Sequence, residues 1–107
     1  MNYDVKYHAE VEEDLEPFNA AQKKQIKKSI EKVSGNPLPQ NEGGYGKPLG
    51  NKQGKNLTGL LKIKFKKLGG RVVYKLIRTE TTMYIIVDAA RADEEVYEIA
   101  AKRAGKK

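Results

Sequence analysis

Five basic side chains are spaced so that they would lie together on one face of a β-hairpin and could hold a phosphate group there. Apolar residues alternate with lysines over residues 61–66, Gly69 and Gly70 are a turn signal, and residues 71–78 form the next strand-like run. Side chains alternate between faces along a strand, and cross-strand neighbours share a face. A two-residue turn therefore places one set of basic residues on the same face of the sheet. A turn with an odd number of residues would place part of this set on the other face. The set is Lys62, Lys64, Lys66, Arg71 and Lys75.

This arrangement predicts a surface that binds a polyanion. Like charges on one sheet face repel one another, and bound phosphate groups would relieve that repulsion. Lysine and arginine release counterions from phosphates, and arginine can grip a phosphate with two parallel hydrogen bonds. The intervening residues Leu61, Ile63 and Phe65 would face the core on the other side of the sheet. A solvated lysine-rich face that binds nothing is the alternative interpretation.

Charge is unevenly distributed along the 107 residues, which carry a formal net charge of +7. No acidic residue lies between Glu42 and Glu80, and that interval holds ten of the 21 lysines and arginines. The first 20 residues hold six acidic residues and one lysine. This distribution indicates one strongly positive and one acidic surface, and a partner that is either nucleic acid or an acidic protein.

The elements that must position the basic set follow from hydrophobic periodicity and turn signals. A strand, two helices, a long loop, three strands and a final helix are predicted in that order, as a single domain over 1–107. The fold class is α+β, with helices packed on one face of a mainly antiparallel sheet. The expected ranges are a strand over 3–8, a short helix around Val11 and Leu15, a helix capped by Asn19 that runs to Val33, a loop at about 35–58, strands over 61–65, 71–78 and 82–88, and a short C-terminal helix over 93–104.

The composition excludes several kinds of chemistry. The chain has no cysteine, so thiolate nucleophiles, disulfides and cysteine zinc sites are excluded. Asp93, Glu94 and Glu95 are typical of the charged first turn of a helix, and we expect no metal and no cofactor. The single histidine, His8, is expected to be a strand-end residue with no catalytic role. No secretory signal or membrane span is recognised, so a cytoplasmic location is expected.

Two stretches of the sequence resemble RelE-type toxins of the RelE/ParE superfamily. The segment LKIKFKKLGGRVVY at 61–74 is similar to the core hairpin of that family, and DAARADEEVY at 88–97 is similar to its closing motif. The resemblance implies a ribosome-dependent endonuclease that cuts messenger RNA in the ribosomal A site without a metal. It also implies attack by the ribose 2′-hydroxyl on the adjacent phosphate, and a cognate antitoxin as partner.

The resemblance assigns roles residue by residue. It places Lys62, Lys64, Arg71, Arg91 and Tyr97 around one scissile phosphate. Arg71 suits transition-state stabilisation because its charge is permanent, and the two lysines add to the positive field. Tyr97 is expected to act on the 2′-hydroxyl as base or orienter, and Arg91 to stabilise the leaving group. The other two members of the basic set match no catalytic position of the family and are expected to contact RNA. They are Lys66 and Lys75.

Two other functions fit the same fold class. A ParE-like gyrase inhibitor would keep the scaffold without the catalytic set, and the presence of all five catalytic residues argues against it. A non-catalytic RNA- or ribosome-binding module would need the positive charge, but it would not need Arg91 and Tyr97 to match the closing motif.

Overall fold

The computed structural model of the chain describes residues 3–52, 55–65, 70–89 and 93–103. Three α-helices and five strands make up most of this part of the chain. In chain order they are β1 (Asp4–Tyr7), α1 (Val11–Leu15), α2 (Ala20–Ser34), β2 (Lys47–Lys52), β3 (Lys55–Phe65), β4 (Gly70–Ile77), β5 (Thr82–Ala89) and α3 (Asp93–Arg103). Two short 3-10 turns occupy Gln40–Glu42 and Arg78–Glu80.

Helix α2 begins where the sequence predicts. The Asn19 side chain accepts a hydrogen bond from the Gln22 amide at 2.8 Å, and the Gln22 side chain accepts one from the Asn19 amide at 2.9 Å. This reciprocal capping box satisfies two backbone donors that a helix start leaves unpaired. The helix buries an apolar stripe, which consists of Ile26, Ile30 and Val33.

The five strands form one sheet in the order β1-β5-β4-β3-β2. Only the β1–β5 pair is parallel, so the prediction of a mainly antiparallel α+β fold is confirmed. In the β3–β4 hairpin, Lys64 pairs with Arg71 and Phe65 pairs with Gly70. The strands therefore separate at Phe65 and Gly70, earlier than a two-residue turn would require. Four residues separate the two strands, and this even number preserves the predicted sharing of faces.

The sheet has a hydrophobic core on each face. One core joins α1 and α2 to Leu61, Val72 and Tyr74, and the other joins α3 to Leu60 and Val73. Because neighbouring residues along a strand point to opposite faces, α3 covers the face opposite to α1 and α2. The expectation that all helices pack on one face is therefore wrong for α3.

The loop predicted at about 35–58 is shorter in the structure, because β2 and the first residues of β3 lie within that range. Strand β2 occupies Lys47–Lys52, and β3 already begins at Lys55. The β2–β3 register shifts between Pro48 and Gly50, and Gly50 has a positive φ of 59°. A bulged strand with glycines loses the strict alternation by which strands are recognised in a sequence.

The remaining loop is fixed to the sheet through the Tyr74 hydroxyl. This fully buried phenol donates a hydrogen bond to the Pro37 carbonyl oxygen at 2.7 Å. Burial raises the pKa of Tyr74 above its ordinary value, which keeps the hydroxyl protonated as a donor. Tyr74 also belongs to the core that joins α1 and α2 to the sheet.

Gly46 passes so close to Tyr74 that it has no room for a side chain. A Cβ atom there would lie 2.2 Å from the Tyr74 hydroxyl oxygen and 2.9 Å from a Leu61 methyl group. We expect Gly46→Ala to lower the free energy of unfolding by about 1–3 kcal/mol, which is the usual cost of overpacking a core. Urea denaturation measures this loss. In a Tyr74→Phe background the added methyl group should cost less, because the clashing oxygen is gone. Equal losses in both backgrounds would contradict this explanation.

Candidate functional site

A buried contact joins the core hairpin to the C-terminal helix. Lys62 of β3 is 6% exposed and Tyr97 of α3 is 4% exposed. The Lys62 ammonium donates a hydrogen bond to the Tyr97 hydroxyl oxygen at 2.7 Å, and its nitrogen lies 5.3 Å from the centre of the Tyr97 ring. Two residues that are 35 positions apart in the sequence therefore share one polar site.

Lys64 and Arg71 extend this site towards the end of the hairpin. They are directly paired across β3 and β4, and the alternation of side chains places them on the face that carries Lys62. Lys64 is exposed and Arg71 is half-buried. Directly opposed like charges are unfavourable in a sheet, so this pair favours an anion above it.

A fourth cation of the site was missed by the sequence analysis. Lys47 of β2 pairs with Lys62 of β3, so its exposed side chain shares the same face. The sequence holds no local signal for this neighbour, because the β2–β3 register depends on a bulge between Pro48 and Gly50. We call this group of side chains the cation cluster. It consists of Lys47, Lys62, Lys64 and Arg71.

Lys75 lies apart from the cation cluster. It is on the same face of β4 as Arg71, but it pairs with Leu60 and Tyr84. Lys75 is four positions along the strand from Arg71, so their Cα atoms are roughly 13 Å apart at the usual rise per residue. The contact of Lys75 with RNA stays a prediction. Lys66 and Arg91, the other predicted members of the site, lie outside the described residues.

Tyr97 is held over the sheet by the buried side of α3. Val96, Ala100 and Ala101 pack beside it against the sheet, and Val96 and Ala100 are fully buried. The apolar periodicity of this helix would also bury Ile99, which is only half-buried in the structure. The rotation of α3 instead turns the phenol inwards, where it reaches Lys62.

The single histidine is placed as a strand-end residue. The Nδ1 atom of His8 accepts a hydrogen bond from the Glu10 amide at 3.1 Å, just before α1. Its ring centre lies 6.4 Å from that of Tyr84. His8 therefore supports the chain between β1 and α1.

The arrangement can bind a phosphate and stabilise added negative charge on it. Arg71 offers a planar set of donors, Lys64 and Lys47 offer exposed ammonium groups, and Tyr97 offers a hydroxyl polarised by Lys62. Within the described part of the chain, no group of three or more histidine and acidic side chains is placed to hold a metal ion. Among these same residues, no helix is long and apolar enough to cross a membrane.

Solved structures share this fold. An arginine-to-alanine double mutant of the E. coli toxin RelE in the free state superposes with a TM-score of 0.71 and 22% identity, over 96% of this chain and 98% of that chain. The RelBE2 toxin-antitoxin complex from Mycobacterium tuberculosis gives a TM-score of 0.68 and 22% identity, over 87% and 95%. A mutant of E. coli RelE in complex with a peptide of its antitoxin gives 0.62 and 20%, over 92% and 94%.

The chain therefore has the RelE fold, and the predicted resemblance is confirmed at the level of the fold. The superpositions extend over nearly the whole length of both chains, so the hairpin and the C-terminal helix belong to the shared architecture. No protein-family model matches the sequence. No curated protein matches it significantly.

Proposed function

We propose that this protein is the toxin of a toxin–antitoxin system and that it cuts messenger RNA in the ribosomal A site without a metal. The observation that carries the proposal is the hydrogen bond between Lys62 and Tyr97. It brings a predicted catalytic residue of the closing motif onto the basic face of the hairpin. A fold that only carried positive charge would not require this contact.

The proposed reaction is an internal transfer at one phosphate. The 2′-hydroxyl oxygen forms a bond to phosphorus, its proton passes to a base, and the bond to the 5′-oxygen of the next nucleotide breaks. That leaving oxygen takes up a proton, so the products are a 2′,3′-cyclic phosphate and a free 5′-hydroxyl. No oxidant, metal or cofactor enters this balance.

Tyr97 is the residue proposed to receive or orient the 2′-hydroxyl proton. Its hydroxyl oxygen accepts a hydrogen bond from the Lys62 ammonium, which holds the phenol at the basic face of the hairpin, where a 2′-hydroxyl would lie. Arg71 and Lys64 stand opposite each other on the same face and would stabilise the extra negative charge of the transition state. Arg91 keeps its proposed role as stabiliser of the leaving group.

The exposure of these side chains indicates how RNA would approach. Lys47 and Lys64 are exposed, whereas Lys62 and Tyr97 are almost covered. RNA would be held by the exposed lysines and by Arg71, with the phenol at the floor of the site. Because the reaction depends on alignment of the 2′-hydroxyl, positioning of the messenger by the ribosome should supply much of the rate. The protein would act in the cytoplasm, where messenger RNA is translated.

Programmed ribosomes provide the test of this function. Purified protein is incubated with ribosomes that carry a defined messenger RNA, and the 5′ ends of the fragments are mapped. The proposal predicts cuts at a fixed position in the A-site codon and little cutting of the same RNA when it is free. Binding to ribosomes without any cut would indicate a binding module. Inhibition of DNA gyrase without RNA cleavage would indicate the ParE-like alternative.

An antitoxin is the proposed protein partner. Two of the structurally similar chains were solved with antitoxins, one as the RelBE2 complex and one with an antitoxin peptide. The net charge of +7 favours acidic contacts from such a partner. Co-expression with the product of the neighbouring gene should yield a stable complex that no longer cuts messenger RNA. Full cleavage activity in the purified complex would contradict this proposal.

Lys47 should contribute to RNA affinity through charge alone. In the cation cluster it pairs with Lys62 across β2 and β3, so it is placed to contact a neighbouring phosphate. For short single-stranded RNA, log affinity falls as log salt rises. We expect Lys47→Ala to make this fall less steep, reducing the magnitude of the slope by about one, because one phosphate contact is lost. Fluorescence anisotropy over a salt series measures this slope.

The matched control for Lys47 is Lys28→Ala. Lys28 is an exposed lysine of α2, the helix on the opposite face of the sheet. Both substitutions remove one positive charge, so an effect of net charge alone would be equal in the two variants. Equal changes in the salt slope would therefore contradict the placement of RNA on the cation cluster.

A further inference from the structure

Helix α3 has a second buried polar contact, at its C-terminal end. We propose that Arg103 is a positioning residue, which fixes α3 on the sheet so that the Tyr97 hydroxyl rests on the Lys62 ammonium. The inference rests on the proposed function for its effect on cleavage. Its effect on the position of α3 can be measured in the free protein without RNA.

Arg103 holds three groups from two other elements. Its guanidinium donates two hydrogen bonds to the Asp14 carboxylate of α1, at 2.6 and 3.0 Å. It also donates one to the Ile86 carbonyl oxygen of β5 at 3.0 Å, and its Nε atom lies 3.2 Å from a Glu10 carboxylate oxygen. The side chains of Arg103 and Asp14 are only 12% and 7% exposed. A two-pronged, charge-assisted contact of this kind fixes direction as well as distance. We call this set of contacts the Arg103 clasp.

Within the clasp, Arg103 contacts β5 at a bulge in that strand. Val73 pairs with Val87 and Tyr74 pairs with Ile85, so Ile86 is the extra residue between them. Ile86 and Val87 both contribute to the core beneath α3, which two consecutive residues of a regular strand would not do. The bulge thus turns Ile86 towards α3, and Arg103 uses the carbonyl oxygen of that residue.

Helix α3 has few large side chains with which to fix its own position. Between Tyr97 and Arg103 its buried residues are Ala100 and Ala101, alanine buries little apolar area, and the larger Ile99 is only half-buried. Alanine also lacks the shape that resists sliding of a helix over a sheet. The contacts of Tyr97 and of Arg103 lie at the two ends of this stretch of small buried residues, six residues or about 9 Å apart along the helix. A change in the Arg103 clasp should therefore move Tyr97.

The clasp ties α3 to the other core of the molecule. Asp14 lies in α1, whose Val11 and Leu15 are buried in the core on the opposite face of the sheet. Arg103 therefore anchors α3 to an element that is buried in the other core and takes no part in the cation cluster. This placement makes Arg103 a support for Tyr97 and gives it no contact with the proposed substrate.

Tyrosine nitration tests the structural part of the inference. Tetranitromethane should modify the exposed Tyr45 and Tyr7 of the unaltered protein and should spare Tyr74 and Tyr97, as read by peptide mass spectrometry. Arg103→Lys keeps a positive charge beside buried Asp14 but loses the two-pronged geometry. We expect this variant to nitrate Tyr97 about tenfold faster through local opening of α3, with Tyr74 still protected. Unchanged nitration of Tyr97 would overturn the inference.

Arg78→Lys is the matched control. Arg78 also makes a two-pronged contact, with Glu42 at 3.0 and 2.7 Å, but this pair is exposed and lies away from α3. Its substitution should leave Tyr97 protected. If Arg103→Lys unfolds the protein, Tyr74 will also be nitrated, and Asp14→Glu then replaces it as a milder change to the same clasp. Protection of Tyr97 in folded Asp14→Glu protein would equally overturn the inference.

A double-mutant comparison tests the catalytic part. On programmed ribosomes Arg103→Lys should lower the maximal cleavage rate about tenfold in the unaltered protein, and should have no further effect when Tyr97→Phe is already present. Equal losses in both backgrounds would show that Arg103 does not act through Tyr97. If the unaltered protein cuts no RNA while Arg103→Lys exposes Tyr97, the proposed function fails and the structural role of the clasp stands.

Discussion

Replacement of Arg71 by alanine is expected to reduce messenger cleavage on programmed ribosomes by about 10²–10³-fold, the usual cost of removing one donor to a transition state. Arg71 stands opposite Lys64 on the face that carries the Lys62–Tyr97 contact. Its charge is permanent, and its planar donors can meet two phosphate oxygens at once. The cleavage rate at saturating protein measures the loss.

Arg71→Lys separates the two contributions of this arginine. Lysine keeps the charge but has no planar pair of donors, so we expect it to recover only part of the rate. Arg78→Ala is the control for the loss of an arginine from this region, because Arg78 follows β4 and its exposed side chain pairs with Glu42. Circular dichroism and thermal unfolding check that the fold is intact. Normal cleavage by a folded Arg71→Ala protein would refute the assigned role.

Tyr97→Phe should cause the second large loss, about 10²-fold in the cleavage rate, because it removes the one hydroxyl proposed to act on the 2′-hydroxyl. The change deletes a single oxygen and keeps the ring that packs beside Val96 and Ala100. It also leaves the buried Lys62 ammonium without this partner, so the free energy of unfolding should fall by about 1–3 kcal/mol.

Two further variants separate catalysis from stability. Tyr74→Phe removes another buried hydroxyl, which bonds to the Pro37 carbonyl oxygen away from the site, and it should lower stability without lowering the cleavage rate. Lys62→Met combined with Tyr97→Phe replaces the buried polar pair with apolar groups and should regain stability, but it should stay inactive. Recovery of cleavage in that double variant would contradict the proposed chemistry.

The sequence predicts the hairpin well because strand alternation is a local property. Lys62, Lys64 and Arg71 share a face for any even loop length, so the four-residue separation between β3 and β4 did not disturb the prediction. The capping box of α2 is local in the same way. The register of β2 is not local, since it depends on a loop, a bulge and Gly50. Lys47 was missed for that reason.

The placement of α3 is the other feature that the sequence could not provide. Amphipathicity shows that a helix has a buried side, but it does not show which face of the sheet receives that side. The near-complete burial of Lys62 was also not predicted, because alternation treats every lysine on a face as equally exposed. Its burial follows from α3, which brings Tyr97 over the sheet. The roles of Lys66 and Arg91 stay predictions.

The central claim is that the phosphate held by these cations is attacked by the 2′-hydroxyl of its own nucleotide. A messenger RNA with a single 2′-deoxynucleotide on the 5′ side of the cleaved bond tests this claim most directly on programmed ribosomes. We expect that this bond is no longer cut, and that the unmodified messenger gives a fragment ending in a 2′,3′-cyclic phosphate. Cleavage of the deoxy-substituted bond at the normal rate would contradict it.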